Sequence, residues 1–284
     1  MRIIYSMKKD CLIVINKLSG NAEALDIDSV KAKLSSAYSK FEVKYIPEDL
    51  ESLSMADYGG VAVCGGDGTL NHIINTRLPE KTSLYYVPCG TLNEVYNAQK
   101  ESTLNLVGHA GDILFSYVCA TGTFTPLGYA VGTKTKKKFK ALAYVSKVIR
   151  EYRVHDIWAR MMVDGKTFDG EYTLIMLINS PRCFGFNFNK LYHKGEMCLL
   201  TIKSPGKDNL LNRARIFFPF FRAFFIGFRK PYESKNLLFT PFKHVDLELL
   251  SPTPFCVDGE KYEIEKTIGI NITKLRNPIN ILSN

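Results

Sequence analysis

Three short runs place glycines beside acidic or hydroxyl side chains in a way that suits binding of phosphate groups. The sharpest is Val61-Ala62-Val63-Cys64-Gly65-Gly66-Asp67-Gly68-Thr69-Leu70-Asn71. An apolar run that breaks into a glycine turn reads as a buried strand. It delivers the turn to the carboxyl edge of a parallel sheet, where open α/β folds bind their ligands. Gly65, Gly66 and Gly68 permit close backbone approach and positive φ angles. A helix expected from Asn71 onward offers N–H groups and a positive dipole end to phosphate oxygens. Asp67 is unusual in a plain phosphate cradle, because it sets a carboxylate beside anions. It makes sense where a metal ion intervenes or a substrate hydroxyl is activated. The alternative is a tight strand–helix turn with Asp67 near a helix cap.

The second run, Pro88-Cys89-Gly90-Thr91-Leu92-Asn93-Glu94, repeats this layout one strand later. Two glycine turns at one sheet edge can flank a single nucleotide, whereas one alone is more often a helix start. The third run is Cys256-Val257-Asp258-Gly259-Glu260. Asp-Gly is a hairpin signal, and its simplest reading is a surface hairpin with an acidic tip. No GxxxxGK[ST] loop is present and the glycines at 65, 66 and 68 do not satisfy GxGxxG, which argues against a P-loop enzyme and a standard dinucleotide fold.

The elements that must hold these turns alternate along the first third of the chain. Strands are expected at Cys11–Ile15, Phe41–Ile46, Gly60–Cys64 and Ser83–Val87. Helices are expected at Asp28–Tyr38, at Leu50–Tyr58, from Asn71 and after Asn93. Repeated strand–turn–helix units argue for a parallel sheet covered by helices. From about Thr121 β-rich runs dominate: Ile157–Val163, Tyr172–Asn179, Met197–Lys203, His244–Leu250, Phe255–Val257 and Ile268–Ile272. A helix is expected over Lys140–Tyr152. The fold class is therefore an α/β N-terminal domain with a parallel sheet (1–120), plus a β-rich antiparallel sandwich or barrel (121–272), with 273–284 able to pack back on the first.

Composition limits the setting. The chain has 284 residues, with Lys plus Arg at 37 against Asp plus Glu at 28, a net charge of +9. That excess favours an anionic partner. The seven cysteines (11, 64, 89, 119, 183, 198 and 256) are odd in number and form no CxxC pair. This disfavours a disulfide framework or zinc cluster and fits a reducing cytoplasm. There is no signal-peptide layout, and no apolar run reaches the ~18 residues that a bilayer span needs.

Together the three runs, in this order, resemble the diacylglycerol kinase catalytic-domain family, which includes bacterial lipid kinases and sphingosine kinases and is related to NAD kinase. The family pattern of GGDGT(L/I)N, then PxGTxND, then a late DGE is matched at Gly65–Asn71, Pro88–Glu94 and Asp258–Glu260. Asn16 and Gly20 look like the family's first nucleotide-contact turn, and Phe124 to Tyr144 like its segment entering the second domain. The resemblance implies ATP-dependent phosphorylation of a lipid hydroxyl, with ATP and Mg²⁺ as cofactors. It implies that Gly65, Gly66, Asp67, Gly68, Thr69, Leu70 and Asn71 hold the ATP phosphates, with Asn16, Gly90, Thr91 and Asn93 beside the nucleotide. Glu260 would accept the hydroxyl proton, and Asp67 would support it or the magnesium ion. Three positions depart from the family: His72 replaces Glu, Glu94 replaces Asp, and Lys194-Gly195 replaces an Asp-Gly that helps bind a structural metal. A Lys ammonium cannot coordinate Mg²⁺, so that metal site is not expected here.

Two further features bear on partners. Lys134, Lys136, Lys137, Lys138 and Lys140 form a basic cluster, either a solvated loop or a surface for anionic lipid headgroups. Ile216 to Lys230 holds seven of the 18 Phe. It reads first as a buried helix or core segment; the alternatives are an acyl-chain wall or an interfacial element with basic ends. The leading expectation is a cytoplasmic lipid kinase, peripherally attracted to membranes, with a homodimer left open. The rivals are a nucleotide-binding member with degraded catalysis, a soluble NAD kinase-like enzyme, and a basic nucleic-acid module. The last lacks any accompanying RRM, KH or zinc-finger signature.

Overall fold

The computed structural model describes residues 9–49, 54–76, 78–99, 102–125, 151–193 and 195–283. They form two compact units. One comprises the described residues up to 105 together with those from 275 on; the other runs from 106 to 274. Against the boundaries expected near residues 121 and 273, the division falls at 105/106 and 274/275, because strands at 106–120 pair within the second unit.

The first unit is built on parallel strands β1 (Lys9–Asn16), β2 (Tyr38–Ile46), β3 (Gly60–Gly65) and β4 (Ser83–Pro88), in the order β2-β1-β3-β4. Ile13 registers with Ala62 and Val63 with Tyr86. All six residues of β3 are buried, which is why that strand reads as a continuous apolar run rather than an alternating one. The core on one side joins Cys11, Ile13, Ile15, Ala62, Cys64 and Val87 to Val30 and Leu34 of helix α1 (Ile27–Leu34).

The Asp26 side chain sets the start of α1 by accepting from the N–H groups of Asp28 and Ser29, each at 3.1 Å. This helix is shorter than the expected Asp28–Tyr38. It stops at Leu34, and Tyr38 instead opens β2, with its ring edge-on to Tyr85 at 6.0 Å. The helix expected over Leu50–Tyr58 is absent from the described part, residues 54–58. There the Ser54 hydroxyl donates to Asp57 at 2.7 Å, a local bond that competes with helix.

The second unit is predominantly antiparallel. It holds the later part of β5 (Thr103–Ala110), then β6 (Ile113–Phe115), β7 (Val118–Gly122), β8 (Ile157–Val163), β9 (Lys166–Ile178) and β10 (Met197–Lys203). The first unit also holds helices α2 (Asp67–Ile74) and α3 (Glu94–Gln99); in the second, helix α4 (Leu210–Phe221) follows β10. The remaining strands are β11 (Tyr232–Glu233), β12 (Leu237–Phe242), β13 (His244–Leu249), β14 (Thr253–Val257), β15 (Glu260–Ile264) and the first part of β16 (Thr267–Ile281), whose end belongs to the first unit. β9 uses its first half to pair with β8 and its second half to pair with β7, while β10 lies on its other side. The core gathers Phe115, Met161, Tyr172, Leu199, Phe255 and Val257. β5, β7 and β12 escape the sequence reading because they are short or carry polar interruptions. The expected fold class, a parallel α/β part followed by a β-rich antiparallel part, is borne out. The helix expected at 140–152 lies, apart from its last two residues, outside the described residues, as do Lys134–Lys140 and Lys194.

Candidate active site: three loops at one sheet edge

β1, β3 and β4 run parallel and end at Asn16, Gly65 and Pro88, so their loops emerge at one edge of the first unit's sheet. The loop after β3 is shorter than the sequence suggests. Helix α2 (Asp67–Ile74) begins at Asp67, not at Asn71, with Gly66 as its N-cap. Gly68 and Thr69 therefore lie in the first helical turn, whose amides have no intrahelical acceptor. Helix α3 (Glu94–Gln99) follows the loop after β4.

The glycines serve space, not unusual backbone angles. Gly66 has φ −90, and none of Gly65, Gly66, Gly68 or Gly90 lies in the left-handed region. A Cβ on Gly90 would stand 2.7 Å from the Gly66 Cα, and one on Gly65 would stand 2.5 Å from the Thr69 Cβ. A Cβ on Gly20 would strike the Thr91 hydroxyl. The loops after β3 and β4 touch at the level of the main chain, where Gly66 meets Gly90, and the loop after β1 sets Gly20 against the Thr91 side chain, so a side chain at Gly90 or Gly20 would force its loops apart.

Side-chain hydrogen bonds complete the clamp. Asn16 Nδ2 donates to Thr69 Oγ1 at 2.8 Å, and its Oδ1 accepts the Leu18 N–H at 2.9 Å. Asn21 donates from its amide to the Gly90 carbonyl at 2.9 Å, and its backbone N–H reaches the Cys89 carbonyl at 2.9 Å. Asn93 has φ 47, a left-handed conformation that Asn tolerates. From there its side chain accepts from the Gly90 N–H at 2.7 Å and donates to the Gly90 carbonyl at 3.0 Å. Asp67 reaches across to the next loop: its two oxygens accept from the N–H groups of Glu94 (2.8 Å) and Val95 (3.2 Å). The cap reading of Asp67 thus holds, but the helix it caps is α3 and not its own.

The expected site residues therefore divide. Asn16, Gly65, Gly66, Asp67, Thr69, Gly90, Thr91 and Asn93 converge at the sheet edge, and Gly66 to Thr69 are half-buried there. Leu70 and Asn71 belong to α2, but their side chains are turned into the interior, 1% and 0% exposed. Glu94 is buried as well, whereas His72 is exposed. Two members were missed. Asn21 had a signal, since it directly follows the Gly20 of the first turn. Tyr86 had none. Its hydroxyl is buried with no hydrogen-bond partner among the described residues, and burial, with the Asp67 carboxylate nearby, pushes its pKa well up. Behind the glycines, a hydrogen bond between Cys64 and Cys89 raises the Cys64 thiol and lowers that of Cys89.

The third motif forms a hairpin in the second unit. Asp258 and Gly259 join β14 to β15 with φ 50 and 96, the two positive values of a type I′ turn. The expected acidic surface tip is overturned at Asp258, which is fully buried. Its carboxylate accepts from the backbone N–H groups of Ser116, Tyr117 (3.0 Å) and Val118 (3.0 Å) and from the Ser116 hydroxyl (2.7 Å). Burial raises its pKa, and these amide bonds pull it back. Asp258 thus pins the turn, and the next-but-one residue, Glu260, stands exposed at the start of β15.

The profile of the diacylglycerol kinase catalytic domain matches residues 10–113, which include the three clamped loops. A diacylglycerol kinase of Staphylococcus aureus (strain bovine RF122 / ET3-1) is 25% identical over 281 residues, covering 89% of this chain and 87% of its own length. One from Staphylococcus carnosus (strain TM300) is 25% identical over 72% of this chain and 71% of its own. A crystal structure of a diacylglycerol kinase from Bacillus anthracis aligns with a TM-score of 0.59 at 16% identity, over 97% of each chain. Another structure from that organism gives 0.66 at 17%, again over 97% of each. These structural likenesses concern the fold. The match over residues 10–113, the loop motifs within it and the similarity along most of the chain support the diacylglycerol kinase catalytic-domain family.

Proposed function

We propose that the protein is an ATP-dependent lipid kinase that transfers the γ-phosphoryl group to a hydroxyl of diacylglycerol or a closely related lipid. The observation that carries this is the contact of Gly66 with Gly90. It leaves a main-chain surface beside the α2 N-terminus, suited to a polyphosphate that needs close backbone approach. Phosphoryl transfer depends mostly on positioning and charge stabilisation, and a clamp of three loops supplies positioning. Bound Mg²⁺ would neutralise charge on the transferring phosphates. Asp67, a carboxylate at the start of α2 beside the Gly66–Gly90 contact, is the proposed protein ligand. The described residues hold no cluster of three or more metal-ligating side chains, which suits an ion carried largely by phosphates and water. Glu260, exposed on a turn that Asp258 fixes, is the proposed acceptor of the lipid hydroxyl proton as that oxygen attacks phosphorus and ADP leaves.

The test is transfer from γ-labelled ATP, with Mg²⁺, to a panel of lipids in mixed micelles. Transfer to a diacylglycerol is expected, and Glu260→Gln should lower kcat by about 10²–10⁴, the usual worth of a general base. Asp67→Asn should lower it too, with a shifted Mg²⁺ requirement. Transfer to NAD alone, or nucleotide binding without transfer to any acceptor, would refute the proposal. The second result would leave a nucleotide-binding protein with degraded catalysis, as the replacements at 72 and 94 invite.

A further inference from the structure

We infer that the outer face of α4 and the turn after it dock the second unit on an anionic lipid bilayer; the inference rests on the lipid-kinase reading only for its purpose. α4 buries Asn212, Ile216 and Phe220 on one side. A soluble helix would carry polar groups on the other. Here that side carries Leu211, Phe217, Phe218, Phe221 and Phe225, at spacings of three, four and seven residues. Leu210, Phe218 and Phe225 are 86%, 73% and 67% exposed. The rings support each other: Phe217 stacks on Phe221 at 6.0 Å and Phe221 on Phe225 at 5.3 Å, while Phe186 meets Phe225 at 5.2 Å. This is a continuous aromatic surface, far more than scattered apolar residues.

The backbone is fitted to present it. Pro219 removes one helix N–H, and a π-helical turn, Arg222–Ile226, carries the apolar face on to Phe225 and Ile226. Gly227 ends the turn at φ 71. A Cβ there would stand 2.5 Å from the Phe188 carbonyl oxygen. Arg222 is spent internally, between the rings of Phe228 and Tyr232 at 4.6 and 4.8 Å.

Charge selects the occupant. From Asn209 to Tyr232 the sequence holds five cations and no Asp or Glu; Arg213 is paired with Asp208, just outside that run. Arg215 on α4, one of whose guanidinium N–H groups donates to Asn212, and Arg229 and Lys230 just after the π-helical turn are exposed. A second copy docked face to face would set these cations against their own kind. An anionic bilayer offers acyl chains to the rings and phosphates to the cations. Among the described residues no helix is long and apolar enough to cross a membrane, so the element lies on the surface and does not span it.

The test is flotation of the full chain, without nucleotide or substrate lipid, with phosphatidylcholine vesicles containing about one third phosphatidylglycerol, a surface charge that attracts basic residues. Wild type should co-float. Phe218→Ser with Phe225→Ser should weaken partitioning about tenfold or more, by the usual worth of a large apolar side chain. Phe218→Trp provides a reading that does not depend on a damaging change, and its emission should shift to the blue on these vesicles. Undiminished flotation of the double Ser variant, equal binding to pure phosphatidylcholine, or an unshifted Trp spectrum would overturn the inference. So would a wild-type dimer that the double variant dissolves. Because no phosphoryl transfer is measured, failure of the kinase assay with flotation intact sinks the functional proposal and leaves the docking surface standing.

Discussion

Replacing Asp258 by Ala should cost the protein far more than loss of a surface turn residue would. Its carboxylate serves three backbone N–H groups and the Ser116 hydroxyl, all buried. Hydrogen bonds to a charged group are worth about 1.5–3 kcal/mol each, and the three amides cannot turn elsewhere. Against that gross loss, removing a buried carboxylate relieves a desolvation penalty of several kcal/mol. The net expected destabilisation is about 2–4 kcal/mol, which for a unit of this size lowers Tm by roughly 5–15 °C. Scanning calorimetry of Asp258→Ala beside wild type measures it, and amide exchange at residues 116–118 localises it. The wild type also carries a pH signature. Burial holds Asp258 above its ordinary 3.8. Between 3.8 and the raised value the unfolded chain binds fewer protons, so this group's contribution falls as pH rises through that window. The variant should lack that slope. A Tm change under about 1 °C, or unaltered exchange at 116–118, would refute the role given to the buried turn.

Two other outcomes follow from the same geometry. Gly90→Ala drives a methyl into the Gly66 main chain and should cost about 1–3 kcal/mol as overpacking does. It should also weaken ATP binding in calorimetric titration, and an unchanged affinity would remove the clamp from the proposed nucleotide site. His155 is lowered from 6.5 by burial, and its Nε2 has no partner among the described residues. Its contribution is present above pH 6.5 and is lost as pH falls through the lowered value, so urea midpoints should decline there in wild type and stay flatter in His155→Gln.

The strands that carry the site were legible because each is apolar on both faces and ends in a turn, as at Cys64-Gly65-Gly66 and Pro88-Cys89-Gly90. The helix boundary was not. Asp67 and Gly68 are poor helix formers, and only the clamp against the neighbouring loop settles them into α2. Asp258 was misread for a related reason. Asp-Gly specifies the turn, but its burial depends on amides about 140 residues earlier in the chain, beyond the reach of any local pattern. The aromatic run was expected in the core by composition alone. Only the accessibility of Phe218 and Phe225 shows that its two faces have different neighbours.

The end of β16 bears on how the chain is made. Ile279 to Ile281 pair in parallel with Leu84 to Tyr86 of β4, and Asn280 bonds the Leu84 carbonyl across 196 residues of sequence. At a synthesis rate of about 5–20 residues per second, β4 waits roughly 10–40 s with an open edge while the second unit is translated. An unpaired buried strand is a template for wrong partners. The first unit, though encoded early, can close only when the last strand arrives.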